Sequence, residues 1–417
     1  MISRVLSAEL AEHAGQRVKV AGWVHRRRQL KSVSFLIVRD RAGLTQAVTS
    51  GDLPVEESVV EVTGTVTVNP QAPGGVELTS PEIAVLAEPA VAPPFDLYRP
   101  GVPASLPTVL DHAPVALRHP ALRAPFEIAA AGVAGFRSAL DALGFTEIHT
   151  PKIVASATES GADVFGIDYF GRPAYLAQSP QFYKQAMVGV FERVYEVGPV
   201  FRAEPHDTAR HLAQYTSLDA ELGFVRDHRD VMAVLREAIA GMTEEVRRRA
   251  AQAVETLGVT LPEVPQEIPA IHFTEAQALT GEDEPDLSPA QERWLSEWAR
   301  REHGSEFLFV TGYPMAKRPF YTHPDPERPG YSNGFDLLFR GLELVTGGQR
   351  LHRYADYLAA LGGDTGPYEG YLSAFAHGMP PHGGFAIGLE RWTARLTGAA
   401  NVRSATLFPR DLHRLAP

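Results

Sequence analysis

Phe201-Arg202-Ala203-Glu204, followed by Arg210-His211-Leu212 and Asp219-Ala220-Glu221, is the stretch on which the reading of this chain turns. It has a counterpart far downstream, Gly388-Leu389-Glu390-Arg391. Together they supply three arginines, two of them (Arg202 and Arg391) in apolar, strand-like surroundings, with carboxylates and a histidine nearby. A guanidinium is a planar fork that matches phosphate or carboxylate oxygens bidentately, so fixed arginines in a water-poor site predict an anionic ligand. Either segment alone reads equally well as a strand carrying a structural salt bridge.

Upstream, residues 16–88 are strand-rich. Arg17–Val24 alternates partly, Ser34–Asp40 and Leu44–Val48 are β-prone, and Val59–Val68 alternates well. Gly75–Leu78 leads into Ile83–Leu86. Five short strands with glycine turns and no long helix predict a small antiparallel barrel, with a short helix over Ser7–Ala14 ahead of it. Residues 89–124 carry eight prolines. Proline fixes φ and removes a donor, so a stiff, irregular linker is expected there. From 125 to 417 strands and helices mix, with helices expected at Pro125–Leu143, 180–191, 228–257, 288–303 and 349–361. That block is expected to be α+β, with helices flanking a large, mostly antiparallel sheet.

The chain has 417 residues, which is more than one ordinary core and predicts at least two domains. Cysteine is absent, which excludes disulfides, thiolate metal sites and a cysteine nucleophile. No apolar run reaches membrane-spanning length and the N-terminus does not open a signal peptide, so a cytoplasmic protein without a membrane partner is expected. The net charge of −11 argues against non-specific coating of nucleic acid. Any RNA contact must come from a local basic patch or from base contacts. Only 5 of the basic residues are lysines against 34 arginines, so each lysine merits a separate reading.

These motifs resemble the second and third signature motifs of the class II aminoacyl-tRNA synthetases. The whole chain is similar to the aspartyl-tRNA synthetases of the compact archaeal type. Gly144–Pro151 resembles the first motif, which builds a dimer interface in that family, and Asn401–Asp411 matches the family's ending. The resemblance implies an OB-fold anticodon-binding barrel over 1–88, a hinge over 89–124 and a class II catalytic domain over 125–417. There is no room between Glu221 and Gly383 for the large domain inserted in the bacterial form of the family.

The resemblance also implies a chemistry. Aspartate's carboxylate attacks the α-phosphate of ATP, pyrophosphate leaves, and the terminal ribose hydroxyl of tRNA takes the aspartyl group. Charge builds on phosphate oxygens in the first transition state, so fixed cations there stabilise it most. By resemblance Arg202 grips the α-phosphate and Arg391 the γ-phosphate, and these two with His211 are the catalytic residues. Glu204 contacts the adenine amino group or the tRNA end, Tyr215 stacks on adenine, and Arg210 and His211 sit in a loop over the nucleotide. Alone, His211 reads as an exposed loop histidine. A glutamate and a hydroxyl at i and i+3 can converge on one hard cation. By resemblance Glu343 and Thr346 are the Mg²⁺ ligands, with Asp336 in the outer shell, although the family usually has serine where Thr346 stands.

For aspartate, the resemblance implies Glu159, Gln181, Lys184, Ser217, Arg350 and His382. Glu159 would take the substrate ammonium; Lys184 and Arg350 would face its side-chain carboxylate. A neutral amide has no use for two cations, and a site built for a charged group rejects the uncharged analogue strongly. On the barrel, Phe35, Gln46 and Glu77 fall where the family reads the anticodon's central uridine by stacking and edge contacts. Arg26-Arg27-Arg28 suits an RNA backbone. His25 and Pro73 stand where strictly tRNA(Asp)-specific relatives tend to carry tryptophan and lysine. Their loss is expected to relax discrimination, giving an enzyme that charges both tRNA(Asp) and tRNA(Asn), the second product feeding an amidotransferase. A homodimer is expected from the first motif. The reading left open is a discriminating enzyme charging tRNA(Asp) only; an ammonia-dependent asparagine synthetase usually lacks an anticodon domain, and a pure RNA-binding OB protein would not need residues 125–417.

Overall fold

The computed structural model describes residues 3–155, 163–281 and 284–416. It divides into two compact units, Met1–His119 and Pro120–Pro417. In the first, β1 (Arg17–Gln29), β2 (Ser34–Arg39), β3 (Leu44–Thr49), β4 (Val59–Val68) and β5 (Val76–Ala87) close into a barrel of order β1-β2-β3-β5-β4. Alternate apolar residues, Val18 and Val20, Leu36 and Val38, Val60 and Val62, point inward and form its core. The short helix ahead of it is a 3-10 helix, Ser7–His13. β5 is one strand where the sequence suggested two pieces. Its pairing with β4 shifts register between Thr63 and Thr65, which absorbs the Ser80-Pro81 step.

The proline-rich stretch is less irregular than expected. Leu106–Asp111 and Ala113–Ala116 are helical, with Pro107 and Pro114 at their starts, where a missing N–H costs little. Leu97, Ala113 and Ala116 are buried. The next helix begins at Pro120, not Pro125, and runs to Ala142.

The second unit is built on an eight-stranded sheet. Its strands are β6 (Thr146–Glu147), β10 (Arg193–Phe201), β11 (Gln214–Gly223), β12 (Ala270–His272), β13 (Phe307–Thr311), β14 (Gly334–Phe339), β15 (Leu342–Gln349) and β16 (His382–Gly388). Their order is β12-β13-β14-β15-β16-β11-β10-β6, antiparallel except for the β10–β6 and β12–β13 pairs. β7 (Ile153–Val154), β8 (Gly166–Tyr169) and β9 (Arg172–Leu176) form a separate small sheet. Ile128, Phe136 and Leu140 of the helix Pro120–Ala142 share a core with Val231, Leu235, Ile239 and Met242 of the helix His228–Arg249. Their spacing by threes and fours gives each helix one apolar face, and each fully buried side chain contributes about 1.5–3 kcal/mol. The helices cross closely: a Cβ on Gly135 would stand 2.3 Å from the Gly241 carbonyl oxygen.

Other expected helices appear at Gln181–Phe191 and Pro289–His303, and 228–257 is two helices broken at Ala250. The expected helix at 349–361 is wrong at its start. Gln349 ends β15, and the helix is Tyr354–Leu361. Among the described residues, no helix is long and apolar enough to cross a membrane.

Candidate active site

β15, β16 and β11 are neighbours at the centre of the sheet. Thr346 faces Ala386 and Gly348 faces Gly384, while Ser217 faces Gly388 and Glu221 faces Gly384. Side chains alternate along a strand, so Tyr215, Ser217, Asp219 and Glu221 share one face of β11. Leu218, Ala220 and Leu222 turn the other way, into the helix-covered core. The chemistry-bearing residues therefore stand on the face opposite that core.

A cleft on this face is lined by Arg202, Arg210, His211, Tyr215, Ser217, Glu343, Thr346 and Arg391. Arg391 lies in the first turn of the helix Leu389–Thr397, directly after β16. Glu204 lines an adjoining hollow with Arg202, His206 and His211. The expected water-poor setting does not hold for Arg202. It is exposed just past the end of β10, with its guanidinium carbon 5.6 Å from the Tyr215 ring centroid. The His211 Nδ1 lies 2.6 Å from the Thr208 hydroxyl, and its ring is 4.8 Å from that of His206. Partial burial and then the nearby Arg391 guanidinium hold the His211 imidazole below its usual pKa. Thr216 N–H donates to both Glu390 oxygens at 3.0 Å, tying the helix start to β11.

Deeper on the same face is a buried ion cluster. Lys184 Nζ donates to Asp219 Oδ1 at 2.9 Å and to the Phe385 carbonyl at 3.1 Å, and lies 3.4 Å from Glu221 Oε2. Arg350 Nε donates to Glu221 Oε1 at 3.0 Å and its Nη2 to the Gly384 carbonyl at 2.9 Å. Glu221 is wholly buried; burial alone would raise its pKa, but Arg350 and Lys184 outweigh it and hold the carboxyl low. Ser217 Oγ donates to Asp219 Oδ2 at 2.5 Å. The carboxylate fits only because β16 carries a glycine here: a Cβ on Gly384 would stand 2.0 Å from Glu221 Oε2. Gln181 and Lys184 are both buried, as i, i+3 neighbours on one helix face should be, and Gln181 Nε2 has no hydrogen-bond partner.

His382 is buried beside this cluster. Its Nδ1 lies 2.9 Å from the Pro380 carbonyl, which can only accept, so Nδ1 carries the proton. Its Nε2 faces the Gln185 amide at 3.3 Å, and Tyr371 donates to Gln185 Oε1 at 2.6 Å. Burial pushes the His382 pKa down to about 4. Glu159 lies outside the described residues.

Glu343 and Thr346 meet: the threonine hydroxyl donates to Glu343 Oε1 at 2.9 Å. Asp336 faces Thr346 across the β14–β15 ladder and pairs with Arg318 at 3.2 Å. Burial raises the Asp336 carboxyl to about 6, and its Oδ1 is buried without a hydrogen-bond partner. An all-oxygen set with one orphaned carboxylate oxygen fits a hard divalent cation whose remaining ligands are waters and phosphate oxygens.

On the barrel, Phe35, Gln46 and Glu77 are half-buried on the outer face, opposite in direction to Leu36, Ala47 and Leu78. Gln46 Nε2 donates to Glu77 Oε2 at 2.8 Å. Arg26, Arg27 and Arg28 are exposed on β1. Pro73 is half-buried in a one-turn 3-10 segment between β4 and β5. His25 does not match its expected place facing a base. It is 8% exposed, and its Nδ1 lies 3.0 Å from Arg39 Nη1, within an Arg39–Glu57–Arg118 ion cluster. The cause is a register shift in β1 between Val24 and Arg26, which turns both Val24 and His25 inward.

Two features were not read from the sequence. Asp219 and Glu221 are the counter-ions of Lys184 and Arg350, although only their proximity to Arg202 drew attention to them. Glu292, in the first turn of the helix Pro289–His303, reads as an ordinary helix-start acid yet is buried against the cleft.

The family described as class II tRNA synthetases for D, K and N matches residues 106–412, and the OB-fold nucleic acid binding domain matches residues 18–86. The chain is 49% identical to the aspartate–tRNA(Asp/Asn) ligase of Thermus thermophilus, covering 99% of this chain and 100% of that one. It is 48% identical to the aspartate–tRNA(Asp/Asn) ligase of Deinococcus radiodurans, covering 100% and 99%. Among solved structures, asparaginyl-tRNA synthetase from Pyrococcus horikoshii complexed with asparaginyl-adenylate matches with a TM-score of 0.92 at 31% identity, covering 100% of each chain.

Proposed function

This chain belongs to the class II tRNA synthetases, in the aspartate–tRNA ligase branch, and on that premise we propose that it attaches L-aspartate to both tRNA(Asp) and tRNA(Asn) through an aspartyl-adenylate. The observation that carries the proposal is one juxtaposition on the face of β11, β15 and β16: a cationic cleft beside a buried Lys184–Arg350 pair.

ATP lies in the cleft, with Tyr215 under the adenine and Arg202, Arg210 and Arg391 along the phosphates. The aspartate α-carboxylate oxygen bonds to the α-phosphorus as the bond to the β-phosphate oxygen breaks, and pyrophosphate carries off the charge. Arg202 and Arg391 stabilise the oxygens where charge accumulates. Glu343 and Thr346 would hold Mg²⁺, with Asp336 in its outer shell, and the ion would neutralise phosphate charge. Lys184 and Arg350 take the substrate's side-chain carboxylate, Glu159 its ammonium, and neutral His382 closes the pocket near its α-carboxylate. The ribose hydroxyl of tRNA then attacks the carbonyl carbon and AMP leaves.

The structural likeness to an asparaginyl enzyme reflects the shared fold. The paired buried cations and the higher identity to aspartate ligases favour aspartate. The reading of tRNA(Asn) as a second acceptor rests on the names of the two relatives, since His25 is buried. A homodimer, a cytoplasmic location and downstream amidation of Asp-tRNA(Asn) belong to the same proposal. Purified protein is expected to exchange pyrophosphate into ATP with aspartate and not asparagine, and to charge transcripts of both tRNAs. Exchange driven by asparagine would sink the substrate assignment. Charging of tRNA(Asn) orders of magnitude below tRNA(Asp) would leave the discriminating enzyme.

A further inference from the structure

Glu343 and Thr346 are three residues apart, and on a regular strand such residues face opposite sides of the sheet. They meet here because β15 is bulged. Leu337 faces Val345 but Leu338 faces Glu343, leaving Leu344 as the extra residue. The Glu343 N–H, at the bulge, donates to Glu292 Oε2 at 3.1 Å. The same oxygen lies 3.5 Å from Arg210 Nη1. Glu292 is 7% exposed and rises from a helix whose start is fixed by Ser288 and Gln291, each bonding the other's backbone N–H. One buried carboxylate thus grips the backbone of one cleft residue and the side chain of another.

We propose that Glu292 is a positioning residue for the metal–nucleotide complex, aiming the Glu343 carboxylate through its backbone and holding Arg210 over the phosphates. This rests on the reading of the cleft as the Mg²⁺·ATP site. Glu292 lines neither the cleft nor the Lys184–Arg350 cluster, so it acts through its two partners and not on aspartate. Its removal frees the bulge N–H and lets Glu343 swing, while Arg210 loses its buried counter-charge.

The test compares wild type with Glu292→Ala and Glu292→Gln. In Glu292→Ala the KM for ATP and the Mg²⁺ concentration for half-maximal exchange are expected to rise about tenfold or more, the scale on which outer-shell partners act. The KM for aspartate is expected to stay within about twofold. Glu292→Gln keeps an acceptor for the Glu343 N–H but not the charge facing Arg210. It is expected to preserve the Mg²⁺ dependence better than the ATP KM. A readout independent of turnover is ATP binding by calorimetry with Mg²⁺ and with EDTA: the alanine variant should lose most of the affinity that Mg²⁺ adds. Wild-type values in Glu292→Ala overturn the assignment. So does a parallel rise of both KM values with a lowered melting temperature, which marks a structural role only. Wild-type protein that shows no aspartate-dependent exchange overturns the underlying reading of the cleft, and the assignment with it.

Discussion

Arg350 shows what a single side chain carries. Its guanidinium spans the Glu221 carboxylate and the Gly384 carbonyl in a setting with almost no water. Arg350→Leu is expected to abolish aspartate-dependent pyrophosphate exchange. It should also destabilise the fold by about 3 kcal/mol, the low end for breaking a buried pair, because Lys184 remains near Glu221. Arg350→Lys, read in the same denaturant melts, should retain more stability yet still lose exchange, since an ammonium cannot reproduce the fork. His25 carries a pH dependence instead. Burial, then the Arg39 charge, lower its pKa from 6.5 to about 4. The unfolded chain therefore binds more protons between those values, and stability rises with pH across that window. Full stability is present above 6.5 and is lost as pH falls toward 4, by up to about 3 kcal/mol. Melts of His25→Gln across pH 4–7 should show a flatter profile than wild type.

At the scale of elements, two bulges explain what the sequence could and could not reveal. The barrel strands were legible because β-branched residues alternate in and out, and the helix His228–Arg249 because its apolar residues recur by threes and fours. Composition carries no record of a bulge, which depends on the partner strand. The shift in β1 therefore reversed the expected direction of His25, and the one in β15 gave Glu292 a role its own sequence context does not suggest. The cleft arginines were legible as a set, whereas the counter-ions of Lys184 and Arg350 required the β11–β16 pairing to be seen. The outer barrel face permits a separate prediction. Phe35→Ala is expected to lower kcat/KM for tRNA by roughly tenfold, the worth of about one stacked base, and to leave pyrophosphate exchange unchanged. A variant that impairs both would remove Phe35 from RNA recognition.

For the whole molecule, the division into two units separates two jobs. Every residue assigned to ATP, aspartate or Mg²⁺ lies after Pro120, and each unit has its own core. Residues 120–417 expressed alone are expected to form aspartyl-adenylate in the exchange assay while charging tRNA far more weakly than the full chain. Loss of exchange in a folded fragment would show that the barrel contributes to adenylate chemistry. One position within the larger unit has a consequence for ancestry. Every amino acid reachable from a glycine codon by a single nucleotide change carries a Cβ, and at Gly384 any Cβ collides with Glu221 Oε2. The Ala220 carbonyl oxygen would stand 2.2 Å from the same Cβ, so codon 384 is closed to gradual drift whatever stands at 221. A lineage in which 384 has changed should have reshaped the β11–β16 pairing that holds Glu221 against Arg350, which turns this one codon into a marker for copies that have abandoned amino-acid activation.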